Sequence, residues 1–136
     1  MSMRAFVLTI FLLLLSGATI SEESDFKYES EISSFFGHFQ NNEIDKAIDS
    51  IYRSNPYLKT NGDQIEGLKK AIKKIVSISG NIQVIEKLDT VMLGNSVVRT
   101  NYLVVYERMP IKIQFTFFKI KTGWRIQSFF IEEELF

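Results

Sequence analysis

Read as apolar and polar positions, the chain changes period twice. Ala5 to Leu15 is an apolar run with no preferred side, preceded by Arg4 and followed by Ser16-Gly17-Ala18. A positive start, a short greasy run and small residues before a cut describe an export signal over residues 1–18, cleaved after Ala18. The run is too short to cross roughly 30 Å of hydrocarbon at about 1.5 Å per residue, so stable membrane insertion is not expected. Residues 19–31 are polar and acidic, with Glu22, Glu23, Asp25, Glu29 and Glu31, and read as a solvated arm running into a helix start. From Ile32 the spacing becomes helical: Ile32, Phe35, Phe36 and Phe39 share one stripe, and Asn41-Asn42 ends it. Asn42 is placed to cap a second, short helix carrying Ile44, Ala47, Ile48 and Ile51, which Asn55-Pro56 stops. After the Asn61-Gly62 turn, Ile65, Leu68, Ile72, Ile75, Val76 and Ser79 line a third helix that ends at Gly80. Lys69, Lys70, Lys73 and Lys74 fall on its other side and read as a solvated face.

Beyond Gly80 the period drops to two. Four strands are predicted, over 81–90, 97–108, 111–121 and 124–132, joined by connections short enough to require antiparallel hairpins. Residues 32–136 therefore form a single α+β domain, three helices packed on a curved four-stranded antiparallel meander. In the third strand Ile111, Ile113, Phe115 and Phe117 point one way. The fourth alternates Trp124, Ile126, Ser128 and Phe130 against Arg125, Gln127, Phe129 and Ile131, and the second is ambiguous. Large side chains must then stand on the sheet face away from the helices, which predicts a partner surface and, as the commonest case, a homodimer.

Composition narrows the chemistry. Sixteen basic residues balance sixteen acidic ones, and loss of Arg4 with the signal leaves a net charge of −1, a poor footprint for nucleic acid. Cys is absent, so disulfides, thiolate metal sites and cysteine nucleophiles are excluded, and an exported fold must stand on its core, for which twelve Phe, five Tyr and one Trp suffice. There is no Gly-rich nucleotide fingerprint and no metal-ligand spacing, so no cofactor is expected. The lone His38 lies at the edge of the first helix's apolar stripe and is the one weak candidate for a catalytic base. Arg99 could hold an anionic ligand with its planar fork, and Tyr52, Tyr57, Tyr106 and Trp124 could rim a pocket.

The junction Phe39-Gln40-Asn41-Asn42-Glu43-Ile44-Asp45-Lys46-Ala47-Ile48, and the strand start Gly123-Trp124-Arg125-Ile126 after a Phe-rich strand ending in Lys119-Ile120-Lys121, resemble the NTF2-like superfamily of cystatin-like α+β cones. The resemblance runs from about Phe26 to Glu132. It implies a bent sheet curled around the long helix, with a cavity that is a pocket, an active site or filled core. Members similar to ketosteroid isomerases and polyketide cyclases carry an acid/base residue inside the cone. Cystatin-type inhibition would need a Gln-x-Val-x-Gly hairpin, which Gln83-Val84-Ile85-Glu86-Lys87 does not provide. The leading expectation is a noncatalytic periplasmic or secreted domain that binds a small apolar ligand or a protein partner through the cone or the open sheet face. A small cyclase- or isomerase-like enzyme is the alternative.

Overall fold

A helix whose stripe is nearly all aromatic can be buried only by a surface that wraps it, and the structure, a computed structural model, is organised around that need. It describes residues 23–58 and 61–136, with side chains from Tyr28 onward, so the segment read as an export signal lies outside the described residues. The chain runs α1 (Glu23–Gln40), α2 (Ile44–Tyr52), α3 (Gly62–Ser79), then β1 (Ile82–Leu93), β2 (Val97–Tyr106), β3 (Pro110–Ile120) and β4 (Gly123–Glu132). The strands are antiparallel neighbours in sequence order. Three helices on a four-stranded meander is the α+β architecture expected.

The first helix begins at Glu23, so most of the stretch read as a solvated arm is its opening turns, and the apolar stripe extends back to Tyr28. Tyr28 meets Phe117 and Trp124, Phe35 meets Phe115 and Phe129, and Phe36 meets Tyr102, all with ring centroids 5.0–5.9 Å apart. Those distances are the range where tilted and edge-to-face rings attract. Phe35, Phe39, Phe115 and Phe117 are fully buried, so the hollow of the sheet is occupied by side chains.

Three breaks in register bend the sheet, one of them lying between Ile82 and Val84 at the start of β1. Opposite Thr116 and Phe117, β4 carries one extra residue: Ser128 pairs with Thr116 and Ile126 with Phe117, leaving Gln127 as a bulge. The bulge resets the faces. Trp124 and Ile126 point towards the helices and are followed there by Phe129 and Ile131, whereas Ser128 and Phe130 face outward; this corrects the strict alternation expected for β4. A further irregularity lies in β1 between Lys87 and Thr90. In β2 the ambiguity resolves with Val98, Thr100, Val104 and Tyr106 buried inward and Arg99, Leu103 and Val105 outward.

The connections have their own chemistry. Asn42 adopts φ 60, Glu43 N–H donates to the His38 carbonyl at 2.9 Å and Asn42 N–H to the Phe39 carbonyl at 3.1 Å. This paired geometry closes α1, so Asn42 ends the first helix and does not cap the second, whose N-cap is Glu43. Nor is the lysine side of α3 simply wet. Lys69 is buried and reaches Asp49 at 2.8 Å and Glu66 at 3.1 Å, and Lys73 reaches Asp45 at 2.6 Å. Asp45 and Asp49 are one turn apart on α2, as Lys69 and Lys73 are on α3, so the pairs pin the two helices together. Lys70 and Lys74 remain exposed.

Gly80 turns the chain from α3 into β1 with φ 84 and ψ −153, a region that is essentially glycine's own. A Cβ there would lie 3.1 Å from the Glu107 Cβ. Gly80→Ala is expected to cost at least about 1 kcal/mol. By contrast, Gly37, inside α1 with open space around it, should gain about 0.5–1 kcal/mol on change to Ala. Urea unfolding of the two variants beside the parent measures both signs.

Candidate functional site

Three surfaces could carry function: the hollow, a cleft at its end, and the outer face of the sheet. The hollow is packed with rings, as described. At its end, Phe39 from α1, Ile44 from α2, Val76 and Ser77 from α3, Ile82 from β1 and Tyr106 from β2 surround a cleft of about 540 Å³. Lys73 also borders it, with its ammonium engaged by Asp45.

The outer face is a polar row set among apolar groups. Gln114 Nε2 donates to Asn101 Oδ1 at 3.0 Å, and Asn101 Nδ2 donates to Asp89 Oδ1 at 2.8 Å, which lets Asn101 be buried on a face no helix covers. Beside this row a groove of about 510 Å³ is walled by Val91, Leu93, Arg99, Thr116, Ser128 and Phe130. Arg99 sits between Val91 and Thr116 in the strand register and is exposed, so it lies on the outer face and not at the mouth of the cone. Val84, Val91 and Leu93 along β1 and Phe130 on β4, which is 54% exposed, complete an uncovered apolar surface.

The residues singled out from the sequence do not converge. His38 Nδ1 is 3.6 Å from Glu43 Oε1 at the α1–α2 junction, where both side chains are 34% exposed and belong to the helix closure. The Lys46 ammonium, hydrogen-bonded to Glu43, is the main reason that carboxyl is held below its usual range, with His38 a smaller contributor. Tyr52 is half-buried beside Ile65 and Phe129. Tyr57 is exposed, with the Arg125 guanidinium 5.4 Å from its ring centroid. Trp124 is buried at the start of β4, with the Lys119 ammonium 5.9 Å from its centroid. Only Tyr106 and Arg99 line the two larger cavities, one each. Among the described residues no acid/base pair meets across either. Among the described residues no group of three or more His, Asp or Glu could hold a metal ion, and no helix is long and apolar enough to cross a membrane.

Two structural residues were not visible as such in the sequence. Ser54 Oγ accepts the Ile126 N–H at 2.9 Å, and Asn55 Nδ2 donates to the Ile126 carbonyl at 2.8 Å. The loop after α2 thereby occupies the free edge of β4 at one residue. Asn55 next to Pro56 signals a helix stop, and nothing local announces its partner 71 positions away.

No protein-family model matches the chain, and no curated protein sequence matches it. A solved structure from Thiobacillus denitrificans, described as a calcium/calmodulin-dependent protein kinase type II association domain, is similar over 79% of this chain and 94% of its own, with TM-score 0.51 and 9% identity. At that identity the likeness shows the fold, three helices packed on a four-stranded antiparallel sheet, and no chemistry.

Burial pushes the Tyr52, Tyr102 and Tyr106 phenols above the usual tyrosine value of 10.0, Tyr106 furthest. Each folded value lies above the unfolded one, so the stability they contribute is complete below pH 10.0 and is lost as pH rises beyond it, where only the unfolded chain ionises. The urea midpoint should therefore fall steeply above about pH 10, and Tyr106→Phe should flatten that limb.

Proposed function

We propose that this domain is a noncatalytic interaction module, exported by residues 1–18, that self-associates as a homodimer through the outer face of its sheet. The observation that carries the reading is the contrast between the two faces. The inner one is closed over α1 by aromatic packing, and the outer one leaves Val84, Val91, Leu93 and Phe130 uncovered around a polar row. An apolar surface rimmed by polar groups is the usual mark of a protein partner, and among partners a second copy is the commonest. Such a pairing would cover the Asn101 and Gln114 amides with the hydrogen bonds of the row already made, and would leave the Asp89 carboxylate to be met by a cation of the second copy. Arg99, for which no counter-ion is found among the described residues, offers the partner a charge to answer. The Thiobacillus neighbour is itself described as an association domain, which agrees in kind with assembly as the role of such a fold.

The lack of convergent acid and base groups around either cavity weighs against the cyclase- or isomerase-like alternative. Sedimentation equilibrium of the purified protein at micromolar concentration should give a dimer mass. Val91→Glu combined with Phe130→Glu should give a monomer of unchanged helix content, since both side chains lie outside the core. A parent that sediments as a monomer at all concentrations would remove the dimer. Export is tested separately: protein recovered outside the cytoplasm should begin at Thr19.

A further inference from the structure

Most charges on the outer face of the sheet are already answered within the protomer. Lys112 Nζ lies 2.8 Å from Glu132 Oε2, and the Arg125 guanidinium rests 5.4 Å from the Tyr57 ring centroid. Arg99 and Asp89 are not. Arg99 is exposed between Val91 and Thr116. Asp89 falls in the β1 irregularity between Lys87 and Thr90, beside Asn101, whose Nδ2 donates to its Oδ1 at 2.8 Å and holds the carboxylate on this face. Its Oδ2 has no partner among the described residues. The cation and the anion thus occupy opposite corners of a small rectangle on β1 and β2, with Val91 and Asn101 at the other two. Among the described residues no ion pair joins them.

In a two-fold contact, a residue that touches a second residue of the partner has that contact repeated the other way round. An unpaired cation and an unpaired anion side by side are therefore self-complementary, because one rotation makes two identical pairs. The Asn101 amide fixes the carboxylate before the partner arrives, which lowers the ordering cost of the pair. Resting on the reading of the outer face as a self-association surface, we propose that Arg99 of each protomer binds the Asp89 carboxylate of the second copy, and that this reciprocal pair sets the register of the dimer. Neighbouring strands lie about 4.8 Å apart and two residues along a strand span about 6.8 Å. The axis that exchanges Arg99 with Asp89 then runs obliquely to the strands, close to the line from Val91 to Asn101. The two sheets cross steeply, in the orthogonal class of face packing, and Val91 meets its own copy. Glu86, the outward acid opposite Leu103, falls over β3 of the second copy in this register and not over Arg99.

The test mixes variants. Arg99→Glu alone sets two acids face to face, and Asp89→Lys alone sets two cations face to face, so each should weaken self-association at least about tenfold in sedimentation equilibrium. An equimolar mixture restores opposite charges at both contacts and should dimerise as the parent does. An ion pair made inside one protomer would be lost in both variants and not regained on mixing, so complementation separates the two cases. Labelled Arg99→Glu should join Asp89→Lys and should not join Glu86→Lys. Because the chain has no Cys, single cysteines report the axis. With the sheets about 10 Å apart, Val91→Cys should link to its own copy through a short bismaleimide, and Val84→Cys, near the start of β1, should not. This second arm decides the matter if Asp89→Lys does not fold. Charge variants that dimerise as well as the parent, a mixture that fails to complement, or self-linking of Val84→Cys in place of Val91→Cys would overturn the proposal and leave the outer-face dimer standing. A parent that is monomeric at all concentrations removes both.

Discussion

The structure depends on the burial of one aromatic stripe. Tyr28, Ile32, Phe35, Phe36 and Phe39 leave α1 with no soluble alternative, and Phe115, Phe117, Trp124 and Phe129 give the sheet a matching surface. Phe35 is the keystone, its ring within 5.2–5.3 Å of the rings of Phe36, Phe39, Phe115 and Phe129. A chain without Cys has no covalent staple to fall back on, so dense ring packing has to carry the domain. The same density settles where binding can occur. A hollow filled by the protein's own side chains has little room for a guest, which leaves the rim and the outside of the sheet as the open surfaces.

Around that core, polar groups do most of the positioning. Two Asp on α2 and two Lys on α3 set the helices side by side, and Ser54 and Asn55 tie the intervening loop to β4. Individually, partly exposed ion pairs add little to stability. Their effect here is geometric: they hold α3 over the end of the sheet, and so create the cleft whose wall includes Tyr106.

Much of this was legible in the residues. The helical spacing of Ile32 to Phe39 and the two-residue period of Ile111 to Phe117 are direct images of burial, and the Thr122-Gly123 turn fixes its hairpin. What escaped were features set by partners distant in sequence. A bulge leaves no mark in composition, so Gln127 reads as an ordinary strand residue and Phe129 falls on the wrong face by one step. Lys69 looks wet until Asp49 is brought opposite it by α2. For the candidate sites, type was readable and place was not: Arg99 lies on the convex side because its strand neighbours Val98 and Thr100 face α1. A neighbour sharing the fold at 9% identity makes the same point from another direction, since layout survives almost complete exchange of side chains and chemistry does not travel with it.

The two borders of the sheet are unlike. On β4 the outward backbone groups of Ile126 are already spoken for by Ser54 and Asn55, whereas β1 presents an unclaimed ladder with apolar side chains along it. Endless strand-by-strand growth requires a free donor border and a free acceptor border on every molecule. The loop breaks the β4 border at Ile126, so a β1 from another molecule could not run along it without displacing Ser54 and Asn55 at that residue. The loop that holds β4 thus stands as a local obstacle to strand-by-strand growth.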